Sequence, residues 1–349
     1  MPQQKRKRLR GSESSKKNDQ SGSAAPSRFD LWLQMPKQAQ TQDLESKLVV
    51  RKLLKRLEST GYTHAALTHT VFGCPRVPED RVDTVLPESI WETDSTKQAR
   101  NSNAFRVLRR LHAVVENLSD VGFYAIKADD ASSLLEEYDV VSIAPRNDAA
   151  FQACCVSATA AEIITLDYTS GRGGVQLPFR IRTTDVRAAV ERRAVFEIPY
   201  APGILNPNQR KALVQTCREL QMASLGVKAK VIFSSGDRIE GQGQTDVGAM
   251  ALRTPGDLVN LMESVLRFDS GTSHDALTSA GAFVLEQGRK RRFGESLVSD
   301  IYIDSGTREK AVVEAETSKG VPVRGSKPIA QQEPESIDEE VVEDGFIAL

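Results

Sequence analysis

Tyr138–Ala144, YDVVSIA, decides the fold. It is short, apolar and β-branched, and Pro145 closes it, so it reads as a strand covered on both faces. Three further segments have the same character: AEIITLD at Ala161–Asp167, AVFEIPY at Ala194–Tyr200 and KVIFS at Lys230–Ser234. Upstream, Phe29–Leu33 and His64–Thr68 read as strands too. The segments between them have helical periodicity. In Asp43–Leu57, Leu44, Leu48, Leu53, Leu54 and Leu57 recur at helical spacing, with Gly61 as a stop. Ala149–Ser157 and Thr184–Arg193 read as shorter helices. Pro207–Leu225 has Asn206 as N-cap, Pro207 in its first position and Gly226 behind it. Pro255–Phe268 follows Thr254, and Asp275–Gln287 closes the pattern. Arg106–Glu116 fits a helix or a strand equally well.

Short apolar strands alternating with helices predict a parallel sheet buried on both sides. No GxGxxG opens the first helix, so the dinucleotide-binding fingerprint is missing, and a closed or distorted barrel is the expected arrangement.

The net charge of −1 hides an uneven distribution. Residues 1–28 carry +6, residues 304–349 carry −6 and the body between them −1. The basic end is poor in apolar residues and the acidic end lacks sustained periodicity, so both are expected to be disordered tails around a domain at 29–303. No apolar run approaches the ~18 residues that a membrane helix needs, and no apolar stretch follows the basic N-terminus as a secretory signal requires. Cys74, Cys154, Cys155 and Cys217 form no CxxC pair and are expected to be reduced thiols, with the adjacent Cys154 and Cys155 acting as small buried apolar groups.

Candidate chemistry is sparse. The four histidines are His64, His69, His112 and His274. A five-residue spacing puts His64 and His69 on opposite faces of a strand, which argues against a shared metal. Gly171-Arg172-Gly173-Gly174 lacks the Lys-Ser or Lys-Thr of a P-loop and reads as a connection, with Arg172 as a lesser RNA candidate. Ser234-Ser235-Gly236 follows a strand, but no base for a nucleophilic serine is evident. Two basic clusters remain. Lys5, Arg6, Lys7 and Arg8, with Lys16 and Lys17, have the composition of a nuclear import signal or nucleic-acid arm. Arg289, Lys290, Arg291 and Arg292, followed by Phe293, come after the last predicted helix and suit phosphate contact, with Phe293 available to stack or to pack inward.

In order, the strand segments resemble the thirty-kilodalton protein subunit family of archaeal and eukaryotic ribonuclease P. The likeness is carried by FDL at Phe29, YDVVSIAP with Phe151 and Ala153-Cys154 behind it, AEIITLD followed by LPF at Leu177, and Arg192 before VFEIPYAPGI. It continues through KVIFSSG followed by Asp246-Val247, and ends at Arg289-Lys290. The resemblance implies a distorted TIM-like barrel similar to the polymerase and histidinol phosphatase (PHP) phosphoesterases. Those enzymes open with Asp-Leu-His-x-His; here Asp30-Leu31 is followed by Trp32 and Gln34 at the histidine positions, and neither suits the metal. The family role so implied is a non-catalytic subunit with no cofactor. It braces the catalytic RNA of ribonuclease P, and of RNase MRP, beside a small RNA-recognition-like protein subunit in the nucleus and nucleolus. Lys228, Lys230 and Arg192 join Arg289–Arg292 as the expected RNA-binding residues.

Gln242-Gly243-Gln244-Thr245-Asp246 departs from the family's Arg-Gly-Pro-Tyr-Asp, and 76–103 looks like an expanded loop. Two other readings stay open. One is a phosphoesterase assembling a metal site from Asp30, His64, His69, Asp167 and Glu197; the other is an interaction barrel that touches no RNA.

Overall fold

The computed structural model describes residues 26–34, 44–77, 79–87, 105–125, 131–236 and 251–293. The chain opens with β1 (Phe29–Gln34), α1 (Leu44–Ser59), β2 (His64–Phe72), α2 (Val82–Val85) and β3 (Arg106–Val115). It continues through α3 (Leu118–Phe123), α4 (Ala131–Glu136), β4 (Val140–Pro145), α5 (Asp148–Val156), β5 (Ile163–Thr165), α6 (Thr183–Glu191) and β6 (Val195–Pro199). The last part is α7 (Ala201–Leu205), α8 (Pro207–Ala223), β7 (Val231–Ser234), α9 (Pro255–Ser264), α10 (Ser270–Asp275) and α11 (Ser279–Phe293).

All seven strands run parallel, in the order β1 to β7. The seam between β7 and β1 is closed by the turn after β7. Gly236 N–H donates to the Trp32 carbonyl at 3.2 Å, and Ser235 N–H donates to Asp30 Oδ1 at 3.0 Å. The result is a nearly closed TIM-like barrel. The Ser234-Ser235-Gly236 turn thus has a structural task. Gly236 has φ +61, and a Cβ there would collide with Pro199.

Apolar side chains fill both sides of the sheet. Between strands and helices lie Leu57, Phe151, Ile164, Phe196, Leu213 and Phe233. A separate cluster occupies the end of the barrel where the strands begin: Leu31, Ala66, Val140, Ile163, Val195 and Ile232, closed by Ala280 and Val284 of α11. No helix among the described residues is long and apolar enough to cross a membrane.

The capping residues behave as their chemistry requires. Asn206 accepts from Asn208 N–H, and Thr254 forms a capping box with Asp257. Gly61, at φ +96, ends the turn after α1, with Tyr62 N–H on the Leu57 carbonyl. The ambiguous stretch 106–116 is strand β3, held by continuous pairing with β2 from His64↔Arg106 to Phe72↔Val114.

The closing helix differs from expectation. It starts at Ser279 and runs to Phe293, so Arg289–Arg292 lie within it and not beyond it, with Lys290, Arg291 and Arg292 in the last turn, where cations interact favourably with the helix dipole. Gly288 lies inside the helix in close contact with the loop before β4, because a Cβ there would overlap the Asp139 carbonyl oxygen. The helix expected over 255–268 ends at Ser264. The basic cluster at Lys5–Lys17, residues 294–349 with the acidic end, Gln242–Asp246 and 88–103 of the expanded loop lie outside the described residues.

Candidate nucleic-acid interface

Parallel barrels ordinarily place chemistry at the ends where the strands finish. Here the middle of the barrel is occupied by Arg110 of β3, which is fully buried. Its Nε donates to Ser142 Oγ at 2.8 Å, and its Nη1 donates to the Leu31 carbonyl and to Glu197 Oε1, both at 2.6 Å. Its Nη2 bonds the second Glu197 oxygen, which also accepts from Thr165 Oγ1 at 2.8 Å. A register shift in β1 between Asp30 and Leu33 accompanies the placement of Trp32 against this centre. The Trp32 ring centroid is 5.1 Å from the Arg110 guanidinium carbon and 4.4 Å from that of His112.

The five residues of the phosphoesterase reading do not converge. Glu197 is held by Arg110. Asp30 sits at the β1–β7 seam, where burial pushes its carboxyl up to about 6. His64 stacks on Phe29 at 4.6 Å where β2 begins. His69 bonds Asp80 at 2.7 Å, and Asp167 accepts from Thr169 Oγ1 at 2.6 Å. Among the described residues no three His, Cys, Asp or Glu side chains are grouped to hold a metal ion. Cys154 and Cys155 are buried in α5, and burial raises both thiols, Cys154 to about 12.

The opposite end, where the strands begin and α11 lies across the barrel, is basic. Exposed Arg28, Arg106, Arg193 and Lys230 immediately precede β1 or open β3, or lead into β6 and β7; Lys228 is exposed beside Lys230. Arg193 and Lys230 flank one ring of α11: the Arg193 guanidinium carbon is 5.2 Å and the Lys230 Nζ 5.0 Å from the Phe283 centroid. The cations are close enough to act on His64. Burial first, then the charges of Arg106 and Arg289, pull its imidazole down to about 4.

The expected RNA-binding residues divide into two groups. Lys228 and Lys230 are exposed. Lys290 pairs with Glu286 at 3.0 Å and Arg292 with Asp139, both half-buried, and Phe293 is exposed with Arg292 5.0 Å from its ring. Arg291 and Arg192 turn inward. Arg291 Nε bonds Glu162 at 2.7 Å, and its other nitrogens donate to the Leu135 and Tyr138 carbonyls, tying α11 to the loops before β4 and β5. Arg192 donates to the Cys155 carbonyl at 3.1 Å and the Ala161 carbonyl at 2.8 Å, and burial draws its guanidinium below the ordinary value.

Arg193 is the residue that sequence reading passes over. It has φ 68, and it ends α6 with its N–H on the Val190 carbonyl and the Ala194 N–H on the Ala189 carbonyl. Glycine is the usual occupant of that position. The Gly171–Gly174 loop, with Arg172, follows β5 and so belongs to the strand-finishing end, away from this face.

Comparison with known proteins decides the family. The model of the RNase P subunit p30 family matches residues 29–293. The chain belongs to the RNase P subunit p30 family. The matched residues span the barrel from β1 to the last residue of α11. Among curated relatives, the mouse ribonuclease P protein subunit p30 is 23% identical over 70% of this chain and 83% of its own. The probable ribonuclease P protein subunit 3 of Schizosaccharomyces pombe is 25% identical over 50% of this chain and 64% of its own. Protein GAMETOPHYTE DEFECTIVE 1 of Arabidopsis thaliana is 27% identical over 38% of this chain and 20% of its own. The matched part of the chain thus spans a fifth of the plant protein and just under two thirds of the fission-yeast one. A solved A. niger ochratoxinase aligns over 74% of this chain and 71% of its own at 8% identity and a TM-score of 0.37, too low to bear on function.

Proposed function

We propose that this p30-family chain is a non-catalytic subunit of ribonuclease P, and of RNase MRP, that braces the catalytic RNA through the strand-beginning end of its barrel. The observation that carries this reading is the collection of cations from separate loops around α11, together with a barrel centre already filled by Arg110 and Glu197. In this reading Lys228, Lys230, Arg289, Lys290 and Arg292 contact phosphates and Arg193 joins them. Arg192 and Arg291 hold the loops and helix on which those cations stand. Substrates are precursor tRNA and precursor rRNA, both cut by the assembled ribonucleoprotein. A small RNA-recognition-like subunit is the protein partner. The complex works in the nucleus and nucleolus, to which Lys5–Arg8 with Lys16 and Lys17 direct the chain.

The test is RNA binding across a salt series for the full chain and for a Lys228→Glu, Lys230→Glu, Arg289→Glu variant, after sequencing of the RNA that co-purifies with each. Each lost phosphate contact lowers the slope of log affinity against log salt by ~0.7–0.9. Three lost contacts lower it by about 2–3, with ribonuclease P or MRP RNA enriched on the unaltered chain only. An unchanged slope would favour the interaction barrel that touches no RNA.

A further inference from the structure

Beside Lys228 and Lys230 lies a cavity of about 540 Å³, between the end of α8, the start of β7 and α10. That volume is in the range of small-ligand sites, ~300–1,000 Å³. Its wall is apolar where it meets the core: Leu220, Val231, Phe268 and Ala280. Its rim is charged on both sides, with Lys228 and Lys230 facing Asp269 and Asp275. Neither lysine has an ion-pair partner among the described residues. Ser224, at the end of α8, also lines the cavity.

We infer that this cavity receives one unpaired nucleobase of the bound RNA, with the phosphates on either side of it held by Lys228 and Lys230. The inference rests on the RNA-binding reading above and specifies what that face takes: single-stranded RNA with a base turned out. Three features argue for it. A base is a flat apolar plate with a polar edge, and the cavity offers an apolar wall with a few polar groups. The lysines stand at the mouth and not in the interior, where the backbone of an inserted nucleotide would run. The aspartates accept hydrogen bonds, so they suit the amino group of a base and repel a phosphate. Asp269 already accepts from Thr272 N–H at 2.9 Å and Oγ1 at 2.7 Å, which holds its carboxyl below the usual value and keeps it charged. A duplex cannot satisfy this arrangement, because its bases are stacked inside it.

The experiment compares binding of the full chain to a fluorescent oligocytidylate and to an abasic strand of the same length and charge. A Ser224→Trp variant, which fills the cavity, is measured alongside. The unaltered chain is expected to hold the cytidylate at least ~5-fold more tightly than the abasic strand, and Ser224→Trp to shrink that preference while leaving abasic binding and the salt slope unchanged. Lys228→Glu with Lys230→Glu is expected to weaken both strands alike. Ultraviolet cross-linking of the cytidylate to the unaltered chain needs no variant, and adducts are expected within 220–231 and 268–280. Equal binding of both strands, a preference untouched by Ser224→Trp in a folded variant, or adducts confined to other segments would overturn the inference and leave the phosphate contacts standing. Binding of neither strand would overturn the RNA reading itself.

Discussion

Arg192 and Arg193 are adjacent and follow the last residue of α6, Glu191. Because the chain reverses there, one guanidinium enters the core and bonds the Cys155 and Ala161 carbonyls, while the other emerges over Phe283. Arg193 adopts φ 68 where Gly61 does the same task after α1. A side chain in that conformation costs ~1 kcal/mol relative to glycine. Arg193→Gly is therefore expected to stabilise the fold by about 0.5–1 kcal/mol in urea titrations, while lowering the salt slope of RNA binding by about 1. Arg192→Ala is expected to do the reverse, losing ~1–3 kcal/mol of stability because two buried carbonyls lose their donor, with the slope unmoved. A slope change in Arg192→Ala with full stability would reverse these assignments.

Two other residues tie stability to pH with opposite signs. Asp30 titrates at about 6 in the fold against 3.8 ordinarily, so the folded chain holds its proton more tightly. The stability this gives is complete below the ordinary value and is lost as pH rises through about 6. His64 titrates at about 4 against 6.5, so its contribution is complete above the ordinary value and is lost as pH falls through about 4. Between these limits the two effects oppose each other. Asp30→Asn keeps the Oδ1 that Ser235 uses and removes the acid. Its stability relative to the unaltered chain should therefore rise, on the order of 1 kcal/mol, from about pH 4.5 to about pH 7 in denaturant midpoints. A constant difference across that range would mean that Asp30 is not the acid responsible.

At the scale of the element, α11 shows where sequence reading succeeds and where it stops. Strands β1, β2 and β4–β7 and helices α1, α5, α6 and α8 are legible, because each announces itself locally. β4–β7 are short apolar runs, and α8 has Asn206, Pro207 and a following glycine. α11 is expected over 275–287 and runs from 279 to 293, because what seats it lies elsewhere in the chain. Gly281 faces Phe29, 2.5 Å from where a Cβ would meet the ring, and Gly288 faces the Asp139 carbonyl. Such contacts join residues more than a hundred positions apart, so local pattern does not contain them. The candidate interface is illegible for the same reason: Arg193, Lys230 and Phe283 meet only because the barrel brings the loops before β6 and β7 under one helix. The two glycines give a test. In an exposed helix Gly→Ala stabilises by ~1 kcal/mol. Here Gly281→Ala and Gly288→Ala are expected to destabilise, Gly288→Ala more, because a backbone carbonyl yields less readily than a ring. Calorimetry of both variants checks this, and a gain in stability from Gly288→Ala would mean that α11 does not seat against β4 as described.

For the molecule as a whole, the fold separates support from contact. Arg110 and Glu197 cross the barrel and join β3 to β6, with Ser142 of β4, Thr165 of β5 and the Leu31 carbonyl of β1 as further partners. Five of the seven strands thus meet at one guanidinium, and none of its bonds reaches the basic face. If that ion pair is purely a support, its parts should fail singly and recover together. Removing one partner leaves the other charged and unpaired in a buried site, at a cost of ~3–5 kcal/mol, whereas replacing both with apolar groups of similar size is often nearly neutral. Arg110→Met and Glu197→Leu are each expected to lower the urea midpoint sharply, and the double variant to regain most of the loss. RNA affinity and salt slope should stay unchanged in every variant that folds, because the cations proposed to contact phosphate stand on loops and on α11. A double variant that folds as stably as the unaltered chain yet loses RNA would place a working residue inside the barrel, and the division between its two ends would have to be abandoned.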